Sequence, residues 1–128
     1  MENKLKDFKV SYREKISDEY IVGLIDGEGT ISITRYPDGR ERPQVLIFST
    51  CKKVLDQIKS QKSLTAPVME VSRVGDNLDR KKDCYRLQMR SREDVRKMFD
   101  MLKEHPPIIK KKEFVEVYKQ TKDWVYQK

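Results

Sequence analysis

Nine consecutive residues, Ile21-Val22-Gly23-Leu24-Ile25-Asp26-Gly27-Glu28-Gly29, restrict the fold of this chain more than any other segment. Ser17, just upstream, is an N-cap residue, and Asp18 and Glu19 put negative charge in the first turn, where the helix dipole favours it. Tyr20 to Ile25 then continue as a helix that is apolar nearly all round, which predicts burial on more than one side. Gly23 and Gly27 lie four residues apart on one helical face. A glycine costs about 1 kcal/mol inside a helix, so a pair on one face implies that another backbone comes close. Small residues at this spacing pair helices in membranes. This helix is too short to cross a bilayer, which takes about 20 residues. The expected close partner is a second copy of the same helix.

Glu28 stands at the C-terminal end of that helix, between two glycines. The carbonyls there carry partial negative charge, so a carboxylate is poorly placed for helix stability. Carboxylate and exposed carbonyls together make a hard-oxygen site suited to Mg²⁺ or a similar cation. If two helices pair, two such carboxylates meet near one axis, as metal-assisted phosphodiester cleavage requires. The ordinary alternative is a helix C-cap, with Gly29 left-handed and Glu28 solvated.

The remaining pattern places this helix in an α+β chain. Thr30 to Tyr36 alternate strictly and read as a strand. Pro37-Asp38-Gly39-Arg40 is a turn signal, and Pro43 to Thr50 return as a second strand. Val54, Leu55 and Ile58 recur at helical spacing over roughly 51–62, and Thr65-Ala66-Pro67 breaks that helix. Val68 to Val74 and Cys84 to Arg90 read as third and fourth strands around a polar turn, Gly75 to Lys82. Ser91-Arg92-Glu93-Asp94 resembles a capping box with Asp in place of Glu, opening a helix through Val95, Met98, Phe99 and Leu102. His105-Pro106-Pro107 connects it to a last helix, roughly 109–122, with Phe114, Val117 and Tyr118. Trp124 and Tyr126 are expected to pack. Residues 1–16 read as a lysine-rich arm and 17–128 as one domain, since a chain of 128 residues buries one core.

Composition removes several function classes. Two cysteines, Cys51 and Cys84, and one histidine, His105, cannot furnish a Cys/His zinc site. His105 sits in a stiff proline connector, which argues against a histidine-based hydrolytic pair. No apolar run is long enough for a membrane span, and the N-terminus lacks a signal-peptide core. A soluble intracellular protein with reduced cysteines, without membrane contact or a small-molecule cofactor, is expected. Lys and Arg number 28 against 21 Asp and Glu, a net charge of +7 that fits a polyanionic partner.

The nine-residue string resembles the LAGLIDADG motif of the homing endonuclease family. Gly23, Leu24, Ile25, Asp26 and Gly29 match it letter for letter. Ile21 and Val22 replace Leu and Ala, Gly27 replaces the second Ala, and Glu28 keeps the final carboxylate. The resemblance implies an αββαββα module whose four-stranded antiparallel saddle sheet lies in the DNA major groove. It implies a site-specific double-strand endonuclease of intron-homing type. With one motif, such a chain acts as a homodimer on a near-palindromic site and uses Mg²⁺ or Mn²⁺. Glu28 would be the acidic metal ligand and the Gly27 carbonyl a second. Tyr20, Gly23, Leu24 and Gly27 would form the dimer interface. The family's polar residue near the end of the second strand would be Ser49 or Thr50. Its lysine at the start of the last helix would be Lys111, ahead of Lys110 and Lys112. A non-cleaving DNA-binding regulator and an intron RNA maturase are the alternatives on the same fold.

Alternation then assigns a DNA face. Ile31 and Ile33 point inward in the first strand, leaving Thr30, Ser32, Thr34 and Tyr36 on the other side. Arg42 and Gln44 share a face of the second strand. Tyr85, Leu87 and Met89 are expected inward in the fourth strand, with Arg86, Gln88 and Arg90 outward. Arg and Gln suit bidentate contacts to guanine and adenine edges. In the third strand Val71 is expected inward, while Ser72 and Arg73 compete for the outer face. Arg35, Arg40, Lys81 and Lys82, at strand ends and turns, are better placed for phosphates.

Overall fold

A computed structural model of the chain describes residues 15–71 and 84–127. Helix α1 (Asp18–Glu28) starts where expected: Ser17 is extended, and its Oγ accepts the Tyr20 N–H at 3.1 Å. The chain then runs β1 (Gly29–Arg35), β2 (Glu41–Ser49), α2 (Lys52–Lys62), β3 (Val68–Val71), β4 (Cys84–Met89), α3 (Arg92–Glu104) and α4 (Lys111–Val125). This is the anticipated α-β-β-α-β-β-α-α order. The anticipated arm lies outside the described residues up to position 14, as do the polar turn and Arg73.

The four strands form one antiparallel sheet in the order β1-β2-β4-β3. Ile31 faces Val45, Ile47 faces Leu87, Val45 faces Met89, and Val68 faces Leu87. These residues line the inner side. They share a core with Ile21, Val22 and Ile25 of α1, Leu55 and Ile58 of α2, and Val95, Met98, Phe99 and Leu102 of α3. Phe114, Val117 and Val125 of α4 complete it, with Phe114 and Phe99 edge to face at 5.6 Å. Trp124 and Tyr126 pack against this core, as expected.

The β1–β2 turn closes where Gly39 takes φ +91°, a conformation that favours glycine, and Asp38 accepts the Arg40 N–H at 3.0 Å. Helix α2 stops before the expected break, at Ser63, which is left-handed (φ 52°). Ser91 caps α3 by accepting the Asp94 N–H at 3.2 Å. The other half of the capping box does not form. The buried Asp94 carboxylate instead accepts the Thr65 N–H at 2.9 Å and the Ala66 N–H at 3.0 Å, tying α3 to the start of β3.

Within one copy of the chain, α1 is covered on one side. Only its inner side, Ile21, Val22, Ile25 and Asp26, is covered. Gly23 and Gly27 are exposed, and a Cβ at either would meet nothing within 4 Å. The apolar composition all round the helix therefore does not correspond to burial all round within one chain. Gly29 is the reverse case. It is extended (φ −129°), not left-handed, and a Cβ there would stand 2.4 Å from the Leu46 carbonyl oxygen. Its glycine is required by close packing of the helix end on β2.

Candidate functional site

Two carboxylates end α1. Asp26 faces inward and is 8% exposed. Its Oδ2 accepts the N–H groups of Ile108 and Ile109, each at 2.9 Å, and its Oδ1 accepts that of Lys110 at 2.7 Å. Burial alone would raise its pKa. The donors from Ile109, Lys110 and Ile108, with the Lys110 charge, outweigh that and hold it below the ordinary value. The clamp fixes the segment that enters α4. It also brings the Lys110 ammonium to donate to the Asp26 carbonyl, in the same closing turn of α1 as Glu28. Lys111 and Lys112 remain exposed in the first turn of α4.

Glu28, two residues on, is exposed and has no hydrogen-bond or ion-pair partner among the described residues. With Leu24, Phe48, Ser49, Thr50, Val71 and Cys84 it lines a cavity of about 480 Å³. Ser49 is there because β2 ends beside α1, and its Oγ accepts the Cys51 N–H at 3.0 Å. Among the described residues, no three His, Cys, Asp or Glu side chains cluster as a metal site. One copy of the chain thus offers Glu28 as a lone carboxylate, beside the last carbonyls of α1. Those carbonyls have no following helical turn to pair with.

The uncovered face of the sheet has two characters. Toward β1 it is polar: Gln88 Nε2 donates to Gln44 Oε1 at 2.8 Å, and Gln44 Nε2 donates to Ser32 Oγ at 3.0 Å. This ladder crosses β4, β2 and β1. Toward β3 it is apolar, because Phe48, Met69 and Val71 share that face with Arg86, and Leu46 adds an apolar residue between Thr30 and Gln88. None of the described strand residues on this face is acidic.

Comparison with solved structures identifies the architecture. The homing endonuclease I-TnaI has TM-score 0.63 and 20% identity, over 83% of this chain and 71% of that one. The archaeal intron-encoded homing endonuclease I-Vdi141I, complexed with DNA, has TM-score 0.63 and 22% identity, over 95% of this chain and 72% of that one. The LAGLIDADG meganuclease I-AabMI, bound to uncleaved DNA, has TM-score 0.67 and 18% identity, over 88% of this chain but 38% of that one. The chain has the LAGLIDADG homing-endonuclease fold. No family model and no curated protein matches the sequence.

On the LAGLIDADG fold the expected site residues fall as follows. Glu28, the Gly27 backbone and Ser49 come together at the end of α1. Lys110 is held against that end, and Lys111, the expected site lysine, is exposed in the first turn of α4. Tyr20, Gly23 and Gly27 form an open strip on α1, with Leu24 half-buried beside it. Ser32, Thr34, Gln44, Arg86 and Gln88 lie on the uncovered sheet face. Tyr36 and Arg40 stand in the turn, with the guanidinium 5.0 Å from the ring centroid. Arg42 is turned onto Trp124, 4.6 Å from the ring centroid, and Arg92 lies on the same ring at 4.8 Å. Val71, expected inward, pairs with Cys84 and takes the outer face, while Val68 is the inward residue. The strand's period is legible in the sequence, but its phase is not, since Val68 and Val71 are both apolar. Alternation also misses the outward Leu46 and Phe48, because Val45 to Phe48 is one apolar run. Asp26 enters the sequence reading only as a motif letter, and nothing in the sequence points from it to residues 108–110. Among the described residues, no helix is long and apolar enough to cross a membrane.

Proposed function

We propose that this protein is a site-specific double-strand DNA endonuclease that works as a homodimer and depends on a divalent cation. The observation that carries the proposal is the end of α1. It presents an exposed Glu28, without a partner among the described residues, next to an open glycine strip and beside a sheet face that has no carboxylate among its described strand residues.

The uncovered sheet face would lie in a DNA major groove, with Ser32, Thr34, Gln44, Arg86 and Gln88 toward base edges. Tyr36, Arg40 and Arg42 would flank the duplex at the far end of the sheet. Pairing through Tyr20, Gly23, Leu24 and Gly27 would bring two α1 helices together and their Glu28 carboxylates toward one axis. A divalent cation, Mg²⁺ or Mn²⁺, would be held by Glu28 and the Gly27 carbonyl, hard-oxygen donors that fit it only in part in one copy. Bound there, it would supply an activated water and charge neutralisation at the scissile phosphate. Lys110, anchored by the Asp26 carbonyl, would place its ammonium near a phosphate oxygen. Ser49 would help order water in the same cavity.

The test is a plasmid-library cleavage assay with Mg²⁺, comparing wild type with Glu28→Gln, beside sedimentation of the free protein. Linearised product from wild type, lost in the variant while duplex binding survives, supports the proposal. A wild type that binds duplex DNA but cuts no member of a library covering its bound site leaves a DNA-binding regulator instead. A strictly monomeric species in both free and DNA-bound samples removes the homodimer.

A further inference from the structure

The central arginine of the uncovered sheet face has apolar residues directly across from it on both neighbouring strands. Arg86 lies on β4, an interior strand, directly opposite Phe48 on β2 and Met69 on β3. Its Nε is buried and has no hydrogen-bond partner among the described residues. The longer polar side chains of the face are already engaged, and Thr30 and Thr34 lie on the edge strand β1. Gln88, Gln44 and Ser32 bond one another, and Arg42 lies on Trp124 while donating to the Glu41 carbonyl at 3.0 Å. The Arg92 Nε is also unpaired, but that guanidinium lies on Trp124 and donates to Gln127 at 3.2 Å. Among the described residues of this face there is no carboxylate for Arg86 to meet.

We infer that Arg86 is the specificity-determining residue of the DNA face, reading a guanine in each half-site. The inference rests on the DNA-binding proposal above. Two flanking apolar side chains restrict a guanidinium to pointing away from the sheet. A planar fork held that way matches the paired O6 and N7 acceptors that guanine presents in the major groove. A phosphate contact would more naturally come from strand ends and turns, where Arg40 stands, than from the middle of an interior strand.

The experiment is selection of bound duplexes from a randomised pool without divalent metal, so that cutting plays no part. Wild type is expected to fix one guanine in each half-site. Arg86→Ala should lose the preference at that base pair alone, and bind the wild-type site about ten- to a hundredfold more weakly. Arg86→Lys keeps the charge and removes the fork. It should relax the same position while keeping non-specific affinity, and it carries the test if the alanine variant fails to fold. Both variants selecting the wild-type sequence would overturn the inference and leave DNA binding intact. So would a lysine variant that alone keeps the guanine, since that marks a point charge. A wild type that retains no duplex overturns the DNA-binding proposal and this inference with it.

Discussion

Asp26 and Glu28 stand two residues apart on the last turn of α1, yet the chain encloses one and leaves the other open. Asp26 receives three backbone N–H groups from across the molecule, and Glu28 receives none among the described residues. The helical period explains the contrast. A step of two residues turns a side chain through about 200°, from the core side to the open side. One short string therefore carries a carboxylate that the fold uses and one that it leaves open. The pair predicts opposite separations of stability from activity.

The largest effect belongs to Glu28. Glu28→Gln preserves shape and removes the charge a cation needs. Cutting should fall by about three orders of magnitude, several kcal/mol of lost transition-state stabilisation. Stability should stay within about 0.5 kcal/mol, as for other exposed sites without partners. Plasmid cleavage read beside a urea melt tests both. A large loss of stability would mean that the comparison has the roles of the two residues reversed.

Asp26→Asn should show the other pattern. It retains one acceptor oxygen but forfeits charge-assisted bonds to the entry of α4. The expected cost is about 2 kcal/mol in urea unfolding, with part of the loss made good by water at the exposed backbone of residues 108–109. Activity should fall with it, because Lys110 is no longer held against the helix end. An Asp26→Asn protein that kept wild-type stability while losing its cutting would separate the clamp from the fold and break this half of the comparison.

The same carboxylate sets a pH window. Its folded pKa lies below the ordinary 3.8, because the N–H donors and Lys110 more than offset burial. The charged form is therefore favoured by folding. Its contribution is fully present above the unfolded value and disappears as pH falls through the folded one. The difference in unfolding free energy between wild type and Asp26→Asn should be flat near neutrality and shrink below about pH 4. A difference that grew on acidification would contradict the sign of the shift.

Much of this is legible in the sequence, and the illegible parts have physical causes. Ser17, Asp18 and Glu19 announce the start of α1 because capping is local chemistry. The Asp38-Gly39 turn and the alternation of β1 are local as well. Contacts across long separations are invisible. Asp26 meets residues 82 to 84 positions away, and Asp94 meets residues 28 and 29 positions away. Which of three consecutive lysines, Lys110 to Lys112, meets the Asp26 carbonyl likewise depends on where α4 enters, not on their identity. The uniform apolar run Val45 to Phe48 conceals the outward Leu46 and Phe48, and with them the apolar surround of Arg86.

The smallest effect tests the open side of the helix. Gly23 has an unobstructed Cβ direction within its own chain. In an isolated copy, Gly23→Ala should therefore stabilise α1, by up to about 1 kcal/mol from helix propensity alone. If a second α1 packs against this strip, the added methyl meets its backbone and weakens association. The variant should then melt higher at low protein concentration and sediment as a looser dimer at high concentration. Opposite signs in the two measurements would locate the partner on the glycine strip. Equal stabilisation at both concentrations would leave that strip to solvent, and the open side of α1 would then owe its glycines to something other than pairing.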